Sequence, residues 1–135
     1  MDISKLNWLA VLAAAAMAFV VGGMWYSPMM FGKVWMRETG VTDDDLRKRN
    51  LAWVFGGSFV LSLLIALNLA AFLSGGPPNL VWGMTAGALA GVGWVATAMG
   101  ITYLFELRSM KLFLVNAGYH AVTFVLMGGI LGVWK

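Results

Sequence analysis

LAWVFGGSFVLSLLIALNLAAFL, residues 51–73, runs for 23 positions without a charged side chain. A helix rises about 1.5 Å per residue, so roughly 20 apolar residues cross the hydrocarbon core of a bilayer. A buried strand rarely needs more than about eight. The stretch is therefore read as a membrane-spanning helix. Three further runs share its character: residues 6–26, 80–105 and 112–134. Across 135 residues the hydrophobic fraction is 61% and the charged fraction 11%, against about 45–50% and 25% in soluble domains. Too few polar side chains exist to coat a globule, so lipid must be the main solvent. The length leaves room for one domain, residues 1–135, predicted as an all-α four-helix membrane bundle.

The run at 6–26 invites a second reading as a signal peptide, because Lys5 precedes an alanine-rich core. That core is too long, and it ends in aromatics and proline rather than at a small-residue cleavage site. A retained first span is expected. The chain has no cysteine, which excludes disulfides, thiolate nucleophiles and cysteine metal ligands.

Between spans one and two, segment 27–50 holds Lys33, Arg37, Arg47, Lys48 and Arg49, and the turn between spans three and four holds Arg108 and Lys111. Only Lys5 and Lys135 lie on the other side, since the loop at 74–79 is uncharged. Basic loops stay in the cytoplasm, so both termini are expected outside. The net charge of +3 is thus a topology signal, and no nucleic-acid partner is expected. Trp8, Trp82 and Trp134 mark one boundary, and Trp25, Trp35 and Trp53 the other, as aromatic belts do. Within 27–50, Thr42-Asp43-Asp44-Asp45 reads as a helix start, with Thr42 capping and Asp45 answering. Three consecutive carboxylates diverge by about 100° each on a helix, so they are not read as a metal site. Arg47, Lys48 and Arg49 are expected to meet anionic lipid headgroups.

In lipid, helices associate where small residues let backbones approach. Each span offers such a stripe: Ala10, Ala14, Ala18 and Gly22; Ser58, Ser62, Ala66 and Ala70; Gly83, Gly87 and Gly91; Ala117, Ala121, Gly128 and Gly132. Packing within one bundle is one use of them. A homo-oligomer is also expected for so small a chain, with the span-three glycines as the stripe facing another subunit. Asn7 to Val20 faintly echoes Asn79 to Val92, and Leu51 to Gly57 echoes Leu112 to Gly118, which would suit two parallel hairpins.

His120 is the only histidine and the only side chain within a span that titrates near neutrality. On a helical wheel Asn116, His120, Thr123 and Met127 fall within about 60°. Val115, Val122, Leu126 and Val133 mark the lipid-facing side. An ionisable residue in a membrane is a functional hypothesis by default. The plainer reading is a neutral histidine bridging two helices by hydrogen bonds, to Asn116 or to span one or two. No span carries Asp, Glu, Lys or Arg, which removes carboxylate proton antiport and a Ser-His-Asp arrangement. One histidine cannot supply a catalytic zinc site, and no cofactor is expected. Gly91 to Ala96 matches a dinucleotide-binding pattern by letters only, because no strand precedes it.

Span one breaks off in GMWYSPMMFGK, residues 23–33. Pro28 cannot continue the helical ladder, so the helix ends or kinks near Tyr26 and Ser27. Trp25 and Tyr26 suit headgroup level. From Met29 to Glu38 a short interfacial helix is expected, with Phe31, Val34 and Trp35 on one face and Lys33 and Arg37 on the other. The segment qualifies as a site only if Tyr26 or Ser27 meets the polar stripe of span four.

The string Asn7-Trp8-Leu9-Ala10-Val11, then Trp25-Tyr26-Ser27-Pro28 with Phe31-Gly32-Lys33 and Trp35, resembles a family of small bacterial membrane proteins, the domain of unknown function numbered 1761. The likeness continues through residues 42–46, and from Gly118-Tyr119-His120 to Met127-Gly128-Gly129-Ile130-Leu131-Gly132. The resemblance implies a four-span membrane protein, and it implies no activity, substrate or site; a location in the bacterial inner membrane is expected. The leading expectation is a non-enzymatic structural or interaction role. A small-solute or ion pathway along Tyr26, Asn116, His120 and Thr123 is the rival, and an enzyme acting on a lipid-borne substrate is a third reading.

Overall fold

Each span opens on a polar side chain that takes one of the free N–H groups of a helix start. In the computed structural model, which describes residues 2–135, Asn7 Oδ1 accepts from the Ala10 amide at 3.1 Å and Asn50 Oδ1 from Trp53 at 3.1 Å. Asn79 Oδ1 accepts from Trp82 at 3.0 Å, and Ser109 Oγ from Leu112 at 3.1 Å. The four helices opened by these caps are Trp8–Trp25, Ala52–Leu73, Leu80–Phe105 and Met110–Val133, each long and apolar enough to cross a membrane. These are spans one to four of an all-helical membrane bundle.

Span four is the common partner. Ala10, Ala14 and Ala18 of span one bury against Ala66, Leu69 and Ala70 of span two and Met127 and Leu131 of span four. The seam between spans three and four is tighter still. A Cβ on Gly83 would overlap the Gly128 carbonyl oxygen, one on Gly128 would overlap that of Gly83, and one on Gly87 would overlap that of Phe124. A Cβ on Gly132 would stand 2.8 Å from the Asn79 carbonyl oxygen, and one on Gly91 2.8 Å from Phe124 Cβ. Backbone lies on backbone here, and the Asn79 amide donates to the Gly132 carbonyl at 3.0 Å. This corrects the expectation that the span-three glycines face another subunit: span four of the same chain fills that face.

Beyond Gly91 the arrangement changes. Residues Gly91–Ala96 form π-helical turns, as do Ala52–Gly56 in span two. Such turns admit an extra residue and rotate the succeeding side chains about the helix axis. Trp94, Ile101, Leu104 and Phe105 are exposed to the surroundings of the bundle. The echo between halves survives in the matching caps Asn7 and Asn79, but the alanine seam of the first hairpin and the glycine seam of the second differ.

Span one stops at Trp25, and after the turn around Pro28 the chain forms the short helix Gly32–Thr39. Trp35 packs edge-on to Tyr26 at 6.0 Å, and Phe31 against Trp25 at 4.8 Å, so this helix is tied to the end of span one. Gly40 ends it with φ +78°, a left-handed conformation that favours glycine. The helix Asp43–Lys48 then starts in a capping box: Thr42 Oγ1 accepts from the Asp45 amide at 3.1 Å, and Asp45 Oδ2 from the Thr42 amide at 2.9 Å. The bond from the Thr42 backbone, reinforced by its hydroxyl, holds the Asp45 carboxyl below the usual carboxylate range. A depressed folded-state pKa contributes stability above the unfolded value and loses it as pH falls through the folded value. Protection of the amides of residues 43–48, taken relative to their intrinsic exchange rates, is therefore expected to be full at neutral pH and to fall as the pH drops through the depressed range of the Asp45 carboxyl. Asp45→Asn should show that lost protection already at neutral pH, and unchanged protection in the variant would disprove the cap's role.

Candidate functional site

At the end of the bundle that carries the basic loops, span one, span four and span three meet through side chains. Pro28 forces the chain to turn, and the turn places Tyr26 against span four. Its hydroxyl donates to Asn116 Oδ1 at 2.7 Å. Asn116 Nδ2 in turn donates to the Tyr103 hydroxyl at 2.8 Å. Trp25 Nε1 donates to the Val115 carbonyl at 2.8 Å, and Tyr119 reaches back to the Ala18 carbonyl at 2.8 Å. A carbonyl has two lone pairs, so helical carbonyls can take these bonds without losing their own ladder. The Tyr26 and Tyr119 rings meet edge-to-face at 5.4 Å, a favoured aromatic geometry. The Arg108 guanidinium lies 5.3 Å from the centre of the Tyr103 ring.

Asn116 sits six residues into span four, about 9 Å along the helix, so the cluster lies just inside the hydrocarbon. Its members are neutral hydroxyl, amide and indole groups. They can hold three helices in one relative position, and none is a nucleophile or base at neutral pH without further activation.

The sequence-derived residues are distributed unevenly over this geometry. Trp25, Tyr26 and Asn116 come together. Ser27 does not join them, because its Oγ donates to the Met24 carbonyl at 2.7 Å within its own turn, and Pro28 is exposed. His120 lies one turn deeper, half-buried, its ring 5.1 Å from that of Tyr119. Among the described residues it makes no hydrogen bond, so the bridge expected of it is not formed. Thr123 is 4% exposed and its Oγ1 has no partner. Val115, expected to face lipid, is instead buried at 6% exposure, and its carbonyl accepts the bond from the Trp25 indole. Tyr103 and Tyr119 complete the cluster and were not singled out from the sequence. Tyr103 lies 13 residues before Asn116 across a short hairpin, a spacing that places both at one depth.

Arg47 and Lys48 pair with Asp44 at 3.7 and 2.9 Å, as exposed pairs of small energetic value. Arg49 lies over the Phe55 ring at 4.9 Å, where span two begins. Among the described residues no three His, Cys, Asp or Glu side chains lie close enough to hold a metal ion. A cavity of about 360 Å³ opens at the other end of the bundle, lined by Asp2, Lys5, Asn7, Ala70, Ser74 and Trp134.

Four membrane-length helices, locked by a glycine seam at one end and a tyrosine–asparagine cluster at the other, define a small polytopic membrane protein. The chain belongs to the family described as Protein of unknown function (DUF1761), whose model matches residues 9–132. No curated protein and no solved structure matches it.

Proposed function

We propose that the protein is a non-enzymatic, homo-oligomeric structural or interaction protein of the bacterial inner membrane. The observation that carries this reading is the occupancy of Asn116: both ends of its amide are bonded, to Tyr26 and to Tyr103. Polar groups engaged in this way act as a clasp between helices. The uncovered surface of spans two and three, with Leu61, Leu64, Trp94 and Ile101, supplies the face for assembly. The excess of basic residues in segment 27–50 and at Arg108 and Lys111 supports termini outside, with Arg47, Lys48 and Arg49 beside anionic headgroups. A reporter fused to the C-terminus is expected to read outside the cytoplasm, and a cytoplasmic signal would overturn the orientation.

A second reading rests on a different observation. His120 and the buried hydroxyl of Thr123 share one helix face and lack partners, as groups lining a small-solute or ion pathway would. One reconstitution separates the two. In lipid nanodiscs the native mass is expected at a multiple of the protomer mass, and in vesicles the ion leak should equal that of empty liposomes. A monomeric mass refutes the assembly. A leak lost in His120→Ala favours the pathway.

A further inference from the structure

Asn68 lies five residues before the end of span two, about 7–8 Å inside it. It points away from the bundle: neighbouring Ala66, Leu69 and Ala70 are buried, whereas Asn68 is exposed. Its Nδ2 donates to the Leu64 carbonyl at 2.7 Å. Its Oδ1 has no donor among the described residues, and its own helix can offer none, because the N–H groups around it are bound in the helical ladder. Serines and threonines facing the same surroundings escape this problem. Ser58 and Thr97 turn their hydroxyls onto the Val54 and Gly93 carbonyls, which satisfies their only donor. A carboxamide acceptor has no such local solution in hydrocarbon.

The residues that share its face form a pattern. Gly57, Leu61, Leu64 and Asn68, all in the regular α-helical part of span two, are spaced four, three and four apart, the heptad rhythm of a two-helix seam, and all four are exposed. Asn68 occupies an a-type position, where a single asparagine fixes register and partner number. Copies of one chain share their orientation in a bilayer, so a two-fold axis along the membrane normal brings each residue opposite its counterpart at one depth. A carboxamide carries both donor and acceptor, so it is complementary to itself in that position.

We propose that span two is the dimer seam, with the Asn68 side chains of two copies bonded to each other and Leu61 and Leu64 packed around them. The proposal rests on the homo-oligomeric reading above and specifies its interface. Because the chain has no cysteine, single cysteines in the full-length protein report the contact directly in native membranes. With copper–phenanthroline added as oxidant, Leu61→Cys and Leu64→Cys are expected to form disulfide dimers, and the exposed positions Val60→Cys and Leu89→Cys are not. Asn68→Leu suits lipid and preserves the fold, yet it should weaken dimerisation roughly tenfold in a bilayer dilution series. Asn68→Gln, which keeps the amide, should retain most of it. An oligomer that ignores Asn68→Leu and cross-links through Leu89→Cys overturns this seam while leaving the homo-oligomer standing. A wild-type monomer at every dilution overturns both. A complex whose mass includes another polypeptide at the Leu64→Cys cross-link refutes the second copy as occupant.

Discussion

Gly83→Ala is expected to destabilise the folded protein by about 3 kcal/mol, the upper part of the range for an overpacked core. The added methyl meets the Gly128 carbonyl, which is main chain, so no rotamer change can make room. Only separation of spans three and four relieves the clash, and separation loses the reciprocal contact of Gly128 with Gly83 as well. The internal control is Gly93→Ala, where nothing lies within 4 Å of the new atom. There the gain in helix propensity, up to about 1 kcal/mol, should leave stability unchanged or raised. Unfolding of both variants by denaturing detergent, followed by circular dichroism, makes the comparison. Equal stabilities would show that the seam is not held by backbone contact.

Asn116→Ala should cost about 2 kcal/mol, because it removes two hydrogen bonds and leaves the Tyr26 and Tyr103 hydroxyls without each other's intermediary. Tyr26→Phe alone should cost about 1 kcal/mol. In the double variant the Tyr26 effect should shrink by about 0.6 kcal/mol, the average coupling of side-chain hydrogen bonds in membranes. Ser27→Ala, whose hydroxyl serves only its own turn, should be silent. Strict additivity of the first pair would sink the idea that the cluster works as a unit.

The spans were legible because a bilayer imposes a length on apolar runs, and the helices Trp8–Trp25 and Leu80–Phe105 match the runs read from sequence within a few residues. Segment 27–50 was legible for a local reason. Pro28 and the Thr42–Asp45 pair each act on their immediate neighbours, and each does in the structure what its chemistry predicts. Partner choice was not legible in the same way. A stripe of glycines states that some backbone approaches, not whose, and the span-three stripe meets span four rather than another subunit. One clue was present: Gly83 and Gly87 share the spacing of Gly128 and Gly132, so the two stripes could have been matched to each other. Val115 is buried against the expectation of a lipid-facing position, and a wheel drawn from span four alone carries no sign of the indole that binds its carbonyl from 90 residues earlier.

Span four touches every other span, and it is made after the other three. Trp25, Tyr26 and Tyr119 find their partners across separations of 90, 90 and 101 residues, and the glycine seam waits for Gly128. During synthesis the first hairpin can close on its alanines as soon as span two is inserted, while span three enters the bilayer with its glycine face bare. Until span four arrives, that face is open to lipid and to any small-residue helix nearby. The four-span bundle thus closes only when span four is in place. A ribosome that stalls before residue 128 leaves behind a hairpin and an orphan.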